Sequence, residues 1–182
     1  MMLPRSRQQR YAVCSTMLIK QRNRLFRLPV PPSLRLVYVW GKGVALFANK
    51  KYQKGDRIIV LKGTPVHAAN ATPEAIQISR TKFLDTKYLC PEDFINHSCS
   101  PNTTLDLVVR WVVATKDIPR HTEITFNYLT TEWDMQRWGT DFRCRCGSRQ
   151  CFGHVRGFKY LTRAEKQKLK PFLSPWLLHM FA

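Results

Sequence analysis

Three segments carry side chains that could do chemistry. Cys144, Cys146 and Cys151 fall within eight residues as Cys-x-Cys-x4-Cys, and three thiols at that spacing suit a tetrahedral zinc site, which takes four sulfur or nitrogen ligands. The fourth ligand has to come from elsewhere, and Cys14, Cys90, Cys99 and several histidines are candidates on spacing alone. The second segment, Asn96-His97-Ser98-Cys99-Ser100-Pro101-Asn102, is a polar cluster rich in side chains that hydrogen-bond to nearby backbone, so a structured loop is expected there. The third, Glu123-Ile124-Thr125-Phe126-Asn127-Tyr128, alternates as a half-buried strand should and presents two aromatic side chains.

The elements that must position these groups are mostly strands. Pro29, Pro31 and Pro32 precede a Leu-, Val- and Tyr-rich run at residues 34–40, and further strand-like runs follow at 44–48 and 57–61 with Lys54-Gly55-Asp56 as a turn. Residues 65–95 mix proline, small and polar residues and read as an irregular insert with a short hairpin. Residues 105–114 read as one long β-branched strand, and 116–121 as the turn before the strand at 123–128. A helix is predicted to start at Thr162, where Glu165 completes a capping box, and to stop at Pro171; the apolar residues 172–181 then dock on the core or cover a partner. The expected fold class is mainly β with few short helices.

Composition sets outer bounds. A chain of 182 residues with 44% hydrophobic and 12% aromatic content can bury a single core without disulfides. The net charge is +18, and residues 1–55 carry twelve Lys and Arg with no acid before Asp56, so they supply most of it. Such a basic arm suits nucleic-acid binding or organelle targeting, or is a solvated tail. No run of 18 apolar residues occurs and no convincing secretory signal stands at the front, so neither a membrane span nor secretion is expected. The clustered cysteines then point to metal in a reducing compartment rather than to disulfides.

Taken together and in this order, the three segments resemble the SET-domain protein lysine methyltransferases with a post-SET zinc motif. That family reads Asn-His-Ser-Cys-x-Pro-Asn, matched at 96–102 without a mismatch; Phe-Asp-Tyr or Phe-Asn-Tyr, matched at 126–128; and Cys-x-Cys-x4-Cys, matched at 144–151. The resemblance spans about residues 34–160, and the stretches around Thr131 to Met135 and Phe142 to Phe158 look like a small single-domain branch of the family.

The resemblance implies a knot-like β fold with a C-terminal post-SET zinc segment and a terminal helix. It divides the chain into a basic arm at 1–33, disordered or targeting, a SET domain at 34–130, a post-SET zinc segment at 131–160, and a C-terminal helix and apolar tail at 161–182. Asn96 and His97 would contact S-adenosylmethionine, Tyr128 would be the catalytic tyrosine, and Phe126 would line the lysine channel. Cys99 would join Cys144, Cys146 and Cys151 around a structural zinc ion.

The family's glycine motif fits in two registers. Gly41-Lys42-Gly43 has the glycines, whereas Gly43-Val44-Ala45 has the better spacing to Phe47-Ala48. The second is preferred, with backbone groups around Lys42, Gly43, Val44 and Ala45 holding the methionine end of the cofactor. Residues 138–141 look like an extra loop, which leaves Phe142 as first candidate for the adenine contact and Trp138 as second.

The implied activity is methyl transfer to the ε-amine of lysine in a protein, with histones among the substrates, and Phe126 leans toward more than one methyl addition. The alternative is a SET-fold module without turnover that binds nucleic acid or chromatin. The compartment stays open between nucleus, organelle and cytoplasm, with the nucleus in front.

Overall fold

The computed structural model describes residues 11–13, 18–21, 24–86 and 88–181. Short strands dominate, joined by turns and 3₁₀ segments, with two short α-helices at the C-terminal end. The mainly β class read from the sequence is the one observed.

Leu34–Val39 pairs antiparallel with Gly43–Ala48, Leu36 opposite Leu46. Gly41 (φ 74°) and Gly43 (φ 91°) supply the left-handed backbone that the tight reversal requires. Tyr11–Val13 adds to the other edge of Leu34–Val39, and Leu18–Gln21 forms a hairpin with Arg24–Arg27. A second sheet has the order Thr103–Asp106, Trp111–Ala114, Arg57–Val60. Their inward faces meet in one core that includes Leu36, Leu46, Tyr52, Leu61, Val112, Ile118 and Ile124, all with almost no exposure.

Two stretches differ from the sequence reading. Residues 105–114 are not one strand: the chain reverses after Asp106, whose Oδ1 accepts from the Val108 and Val109 N–H groups at 3.0 and 3.2 Å, and Arg110 takes φ 58°. β-Branched composition reports strand propensity and is blind to a reversal made by a single side-chain turn. The insert at 65–95 is more regular than expected, with Thr64–His67, Lys82–Asp85 and Ile76–Gln77 forming a three-stranded antiparallel sheet.

The C-terminal part follows local chemistry closely. Thr162 caps Arg163–Leu169, and its capping box with Glu165 is formed in both directions. Pro171 falls in a 3₁₀ turn that ends the helix. The apolar tail folds as Pro175–Phe181, with Leu177 fully buried and the Trp176 indole donating to the Gln77 carbonyl at 3.1 Å. A second core of Leu129, Met135, Val155 and Leu169 joins this end to the rest. No described helix is long and apolar enough to cross a membrane.

Candidate active site

The polar loop and the aromatic strand lie side by side. Asn96–His97 pairs in parallel with Thr125–Phe126, and the segments are laced by side chains as well. Asn102 Nδ2 donates to the Glu123 carbonyl at 2.8 Å, Asn102 Oδ1 accepts from Thr125 N–H at 2.9 Å, and Thr103 Oγ1 donates to the Thr125 carbonyl at 2.9 Å. Regular strand ends at Phe126, because the Asn127 side chain accepts from Leu129 N–H at 3.1 Å and turns Tyr128–Thr130 into a 3₁₀ segment. The expected strand at 123–128 is thus shortened, and Tyr128 is swung onto the wall of a cleft of about 800 Å³.

Asn96, His97, Phe126, Tyr128 and Phe142 all line that cleft, with Trp40, Gly41 and Lys42 on its rim. Gly43, Val44 and Ala45 do not line it; they sit in the strand behind, where Ala45 is fully buried and the Val44 carbonyl accepts from Asn96 Nδ2 at 3.4 Å. Trp138 lies off the cleft against Phe83, ring centroids 6.0 Å apart. Phe142 stands edge-on to His97 and Tyr128, at 5.6 and 6.0 Å.

His97 joins the two halves of the site. Its Nδ1 lies 3.2 Å from Tyr128 N–H and accepts from it, which leaves the proton on Nε2, 3.1 Å from Cys99 Sγ. Burial lowers its pKa to about 4, with the Lys42 charge adding to the effect, so the ring is neutral. The Tyr128 hydroxyl donates to the Ile95 carbonyl at 3.0 Å, and burial pushes the phenol up, so it keeps its proton. Phe126 packs against Tyr128 at 4.7 Å between centroids.

Cys99, Cys144, Cys146 and Cys151 bring their sulfurs within 4.8 Å of one another. The Cys99 sulfur is 3.7 Å from that of Cys144 and 3.9 Å from that of Cys151. A zinc ion bound tetrahedrally with bonds of about 2.3 Å needs sulfurs roughly 3.8 Å apart, so the four residues fit the metal. Cys90 is elsewhere, its thiol directed at the Tyr88 carbonyl; Cys14 lies outside the described residues. The Nε2–H of His97 aimed at Cys99 is the outer-shell donor that thiolate ligands commonly have.

Several contacts in the cleft gave no signal in the sequence. Lys42 Nζ bonds both carboxylate oxygens of Glu123 at 2.6 Å, and Asn96 Nδ2 donates to Glu123 Oε1 at 3.0 Å. Glu74, Glu92, Asp93, Glu132, Arg143 and Arg145 are the other acidic and basic residues of the lining. Gln77, 4% exposed, ties the insert to the cleft: its N–H donates to Glu132 Oε1 at 3.1 Å and its Oε1 accepts from Trp133 N–H at 2.9 Å. The scarcity of acids in this chain was an available clue, since only Phe94-Ile95 separates Glu92-Asp93 from the polar cluster.

Comparison with known proteins agrees with this arrangement. Residues 43–129 match the family model described as SET domain. The chain is 41% identical over 66 residues to Methyltransferase flvH of Aspergillus flavus, covering 35% of each chain. It is 29% identical over 136 residues to the Histone-lysine N-methyltransferase, H3 lysine-9 specific dim-5 of Neurospora crassa, covering 63% of this chain and 35% of that one. The matches span about a third or less of the length of the first of these curated relatives. Among solved structures, KRYPTONITE in complex with mCHG DNA and SAH aligns with a TM-score of 0.56 over 71% of this chain and 30% of that chain, at 23% identity. Residues 43–129 are therefore a SET domain.

Proposed function

We propose that this chain transfers methyl groups from S-adenosylmethionine to the ε-amine of a lysine in a protein, with histone tails as the substrate class. The observation that carries the reading is convergence. Asn96, His97, Phe126, Tyr128 and Phe142, drawn from three separate parts of the sequence, line one cleft whose wall also includes Cys144 and Cys146. The relatives named for histone-lysine methylation support the substrate class, as does the neighbour structure of KRYPTONITE with DNA, an H3(1-15) peptide and SAH.

S-adenosylmethionine supplies a sulfonium-bound electrophilic methyl group. Of the Lys42 to Ala45 stretch only Lys42 lines the cleft, so backbone at Gly41 and Lys42 with Asn96 and His97 would hold its methionine end, and Phe142 would receive the adenine. The nucleophile is a neutral lysine, so the site has to exclude water and align donor, methyl and nitrogen more than it has to supply a strong base. Phe126 and Tyr128 provide that dry channel, and desolvation lowers the lysine pKa. Tyr128 spends its proton on the Ile95 carbonyl, which leaves oxygen lone pairs to orient the amine. The lysine nitrogen forms its bond to carbon as the bond from carbon to sulfur breaks, and its proton leaves to solvent.

Cys99, Cys144, Cys146 and Cys151 hold a zinc ion with no open position, so the metal shapes the cleft wall and takes no part in the chemistry. In this reading residues 34–130 are the catalytic body, 131–160 the zinc-held wall and 161–182 a helical buttress. The Arg-rich residues 1–33 contribute a salt-dependent nucleic-acid contact.

The test is methyl transfer from labelled S-adenosylmethionine to histones and to a whole-cell protein extract, comparing the wild-type chain with Tyr128→Phe. Removing the hydroxyl is expected to lower transfer by about 100-fold, roughly 2.7 kcal/mol of barrier, while cofactor binding persists. A folded, zinc-loaded chain that binds no S-adenosylmethionine would favour a binding module instead.

A further inference from the structure

A second cavity borders the cysteine cluster. It has a volume of about 440 Å³ and shares no lining residue with the cleft: Cys144 and Cys146 line the cleft, whereas Cys99 and Cys151 line the cavity. Its walls come from separate parts of the chain, chiefly the stretch 99–104, the zinc loop at 149–152, and the helix Arg163–Leu169 with the turn that follows it. The size is that of a small-molecule site, about 300–1,000 Å³.

The lining divides by chemistry. Phe152, Leu169 and Phe172 supply an apolar side, and the first two are fixed in the second core. Phe172 stays 48% exposed beside them, so apolar surface remains open to an occupant.

The polar side is cationic. Arg149 and Lys168 line the cavity, and neither enters an ion pair among the described residues. Glu165, the one acid of the lining, is engaged in capping: its Oε2 accepts from the Thr162 N–H and hydroxyl at 2.7 and 2.8 Å. Four thiolates around one zinc ion carry net negative charge, but Arg143 and Arg145, which line the cleft with Cys144 and Cys146, serve as its counter-ions on that side. Two cations without a carboxylate, next to apolar surface and the Thr104 and Thr115 hydroxyls, complement a ligand that is anionic at one end and apolar at the other.

We propose that this cavity binds a small organic anion, an apolar body carrying a carboxylate or phosphate head, with the head at Arg149 and Lys168 and the body against Phe152, Leu169 and Phe172. The site is distinct from the methyl-transfer cleft and does not rest on that reading. Because its walls belong to the main body, the zinc loop and the C-terminal helix, an occupant ties the three together.

The experiment uses the full zinc-loaded chain and two dyes, anilinonaphthalene sulfonate and phenylnaphthylamine, which share an aromatic body and differ in the anionic group. Fluorescence titration reads affinity. The sulfonate dye is expected to bind saturably at one site and about tenfold tighter than the neutral dye, the worth of one charge-assisted hydrogen bond. In Arg149→Gln/Lys168→Gln the preference should fall to about twofold, with zinc content, thermal stability and affinity for the neutral dye unchanged. Lys50→Gln/Lys54→Gln removes the same charge from exposed positions elsewhere and should keep the full preference. Decanoate and decyl phosphate then compete with the bound dye, which shows the head that the site prefers.

Equal affinity for the two dyes, a preference that survives Arg149→Gln/Lys168→Gln, a preference lost equally in Lys50→Gln/Lys54→Gln, or displacement by neither competitor overturns the site. Loss confined to the first variant, with displacement by either competitor, supports it. Methyl transfer plays no part in these readings, so failure of the methyltransferase assignment leaves the site standing, and the reverse holds as well.

Discussion

Replacing Cys144 by serine isolates what the cysteine cluster does. Besides the cluster, residues 142–155 are held at their ends, where Val155 is buried in the second core with Phe142 and Phe152 packed against it; Phe142–Arg143 pairs with His154–Val155 over two residues, and a few turn hydrogen bonds such as Cys144 N–H to the Gly153 carbonyl at 2.8 Å close the loop. At about 1 kcal/mol net per hydrogen bond, these bonds amount to a few kcal/mol, well short of the entropy of ordering the same residues at about 1–2 kcal/mol each. A structural zinc ion contributes on the order of 10 kcal/mol, so the metal is the largest single contribution to order between the cysteines, beside the packing of Phe142, Phe152 and Val155. The main sheets have their own core, with Val112, Ile118 and Ile124 fully buried, and do not depend on it.

Cys144→Ser should therefore lower zinc content well below one equivalent and speed amide exchange across 142–155 by about 1000-fold, some 4 kcal/mol of local opening. Exchange in Trp111–Ala114 should stay unchanged, and methyl transfer should be lost with the cleft wall. Metal analysis and hydrogen exchange read by mass spectrometry check this. Full zinc occupancy in the variant, or protection lost equally in Trp111–Ala114, would refute the argument that the metal holds one wall alone.

Two further outcomes follow from the packing. At Gly157 (φ 118°) an added Cβ would run into the Trp133 carbonyl and come within 2.9 Å of Asp134 Cα, so Gly157→Ala should destabilise by about 3 kcal/mol or more. Gly153→Ala, at φ 71° and with open space around the new Cβ, should cost about 1 kcal/mol, and calorimetry separates the two. Glu132 and Asp93 have folded pKa values of about 7, above the 4.5 and 3.8 of free carboxyls. Folding then takes up protons between those values, so stability is greatest at low pH and is lost as pH rises through about 7. The slope, at most about 1.4 kcal/mol per pH unit for each group, should shrink in Glu132→Gln when urea midpoints are followed from pH 5 to pH 8.

The amino-acid sequence by itself determined what local chemistry determines. Thr162 and Glu165 announce a helix start because both partners of the capping box lie three residues apart. Runs rich in Leu, Val, Tyr and Phe mark Leu34–Val39 and Gly43–Ala48 because β-branched and aromatic residues favour strands. The three motif segments pointed to the SET fold because their residue types and order are distinctive.

What lay beyond local pattern was decided by tertiary structure. Cys99 meets Cys144 across 45 positions, Lys42 meets Glu123 across 81, and the Trp176 indole meets the Gln77 carbonyl across 99. Glu74, Glu92, Asp93 and Glu132 gather in one cleft of a chain with net charge +18. No spacing rule reaches such separations, because a side chain's partner there is set by how strands cross and not by how far apart the residues lie in sequence. Asp106 reversing a β-branched run, and Asn127 ending a strand so that Tyr128 turns into the cleft, make the same point at short range: one side-chain hydrogen bond to the backbone outweighs several residues of strand propensity.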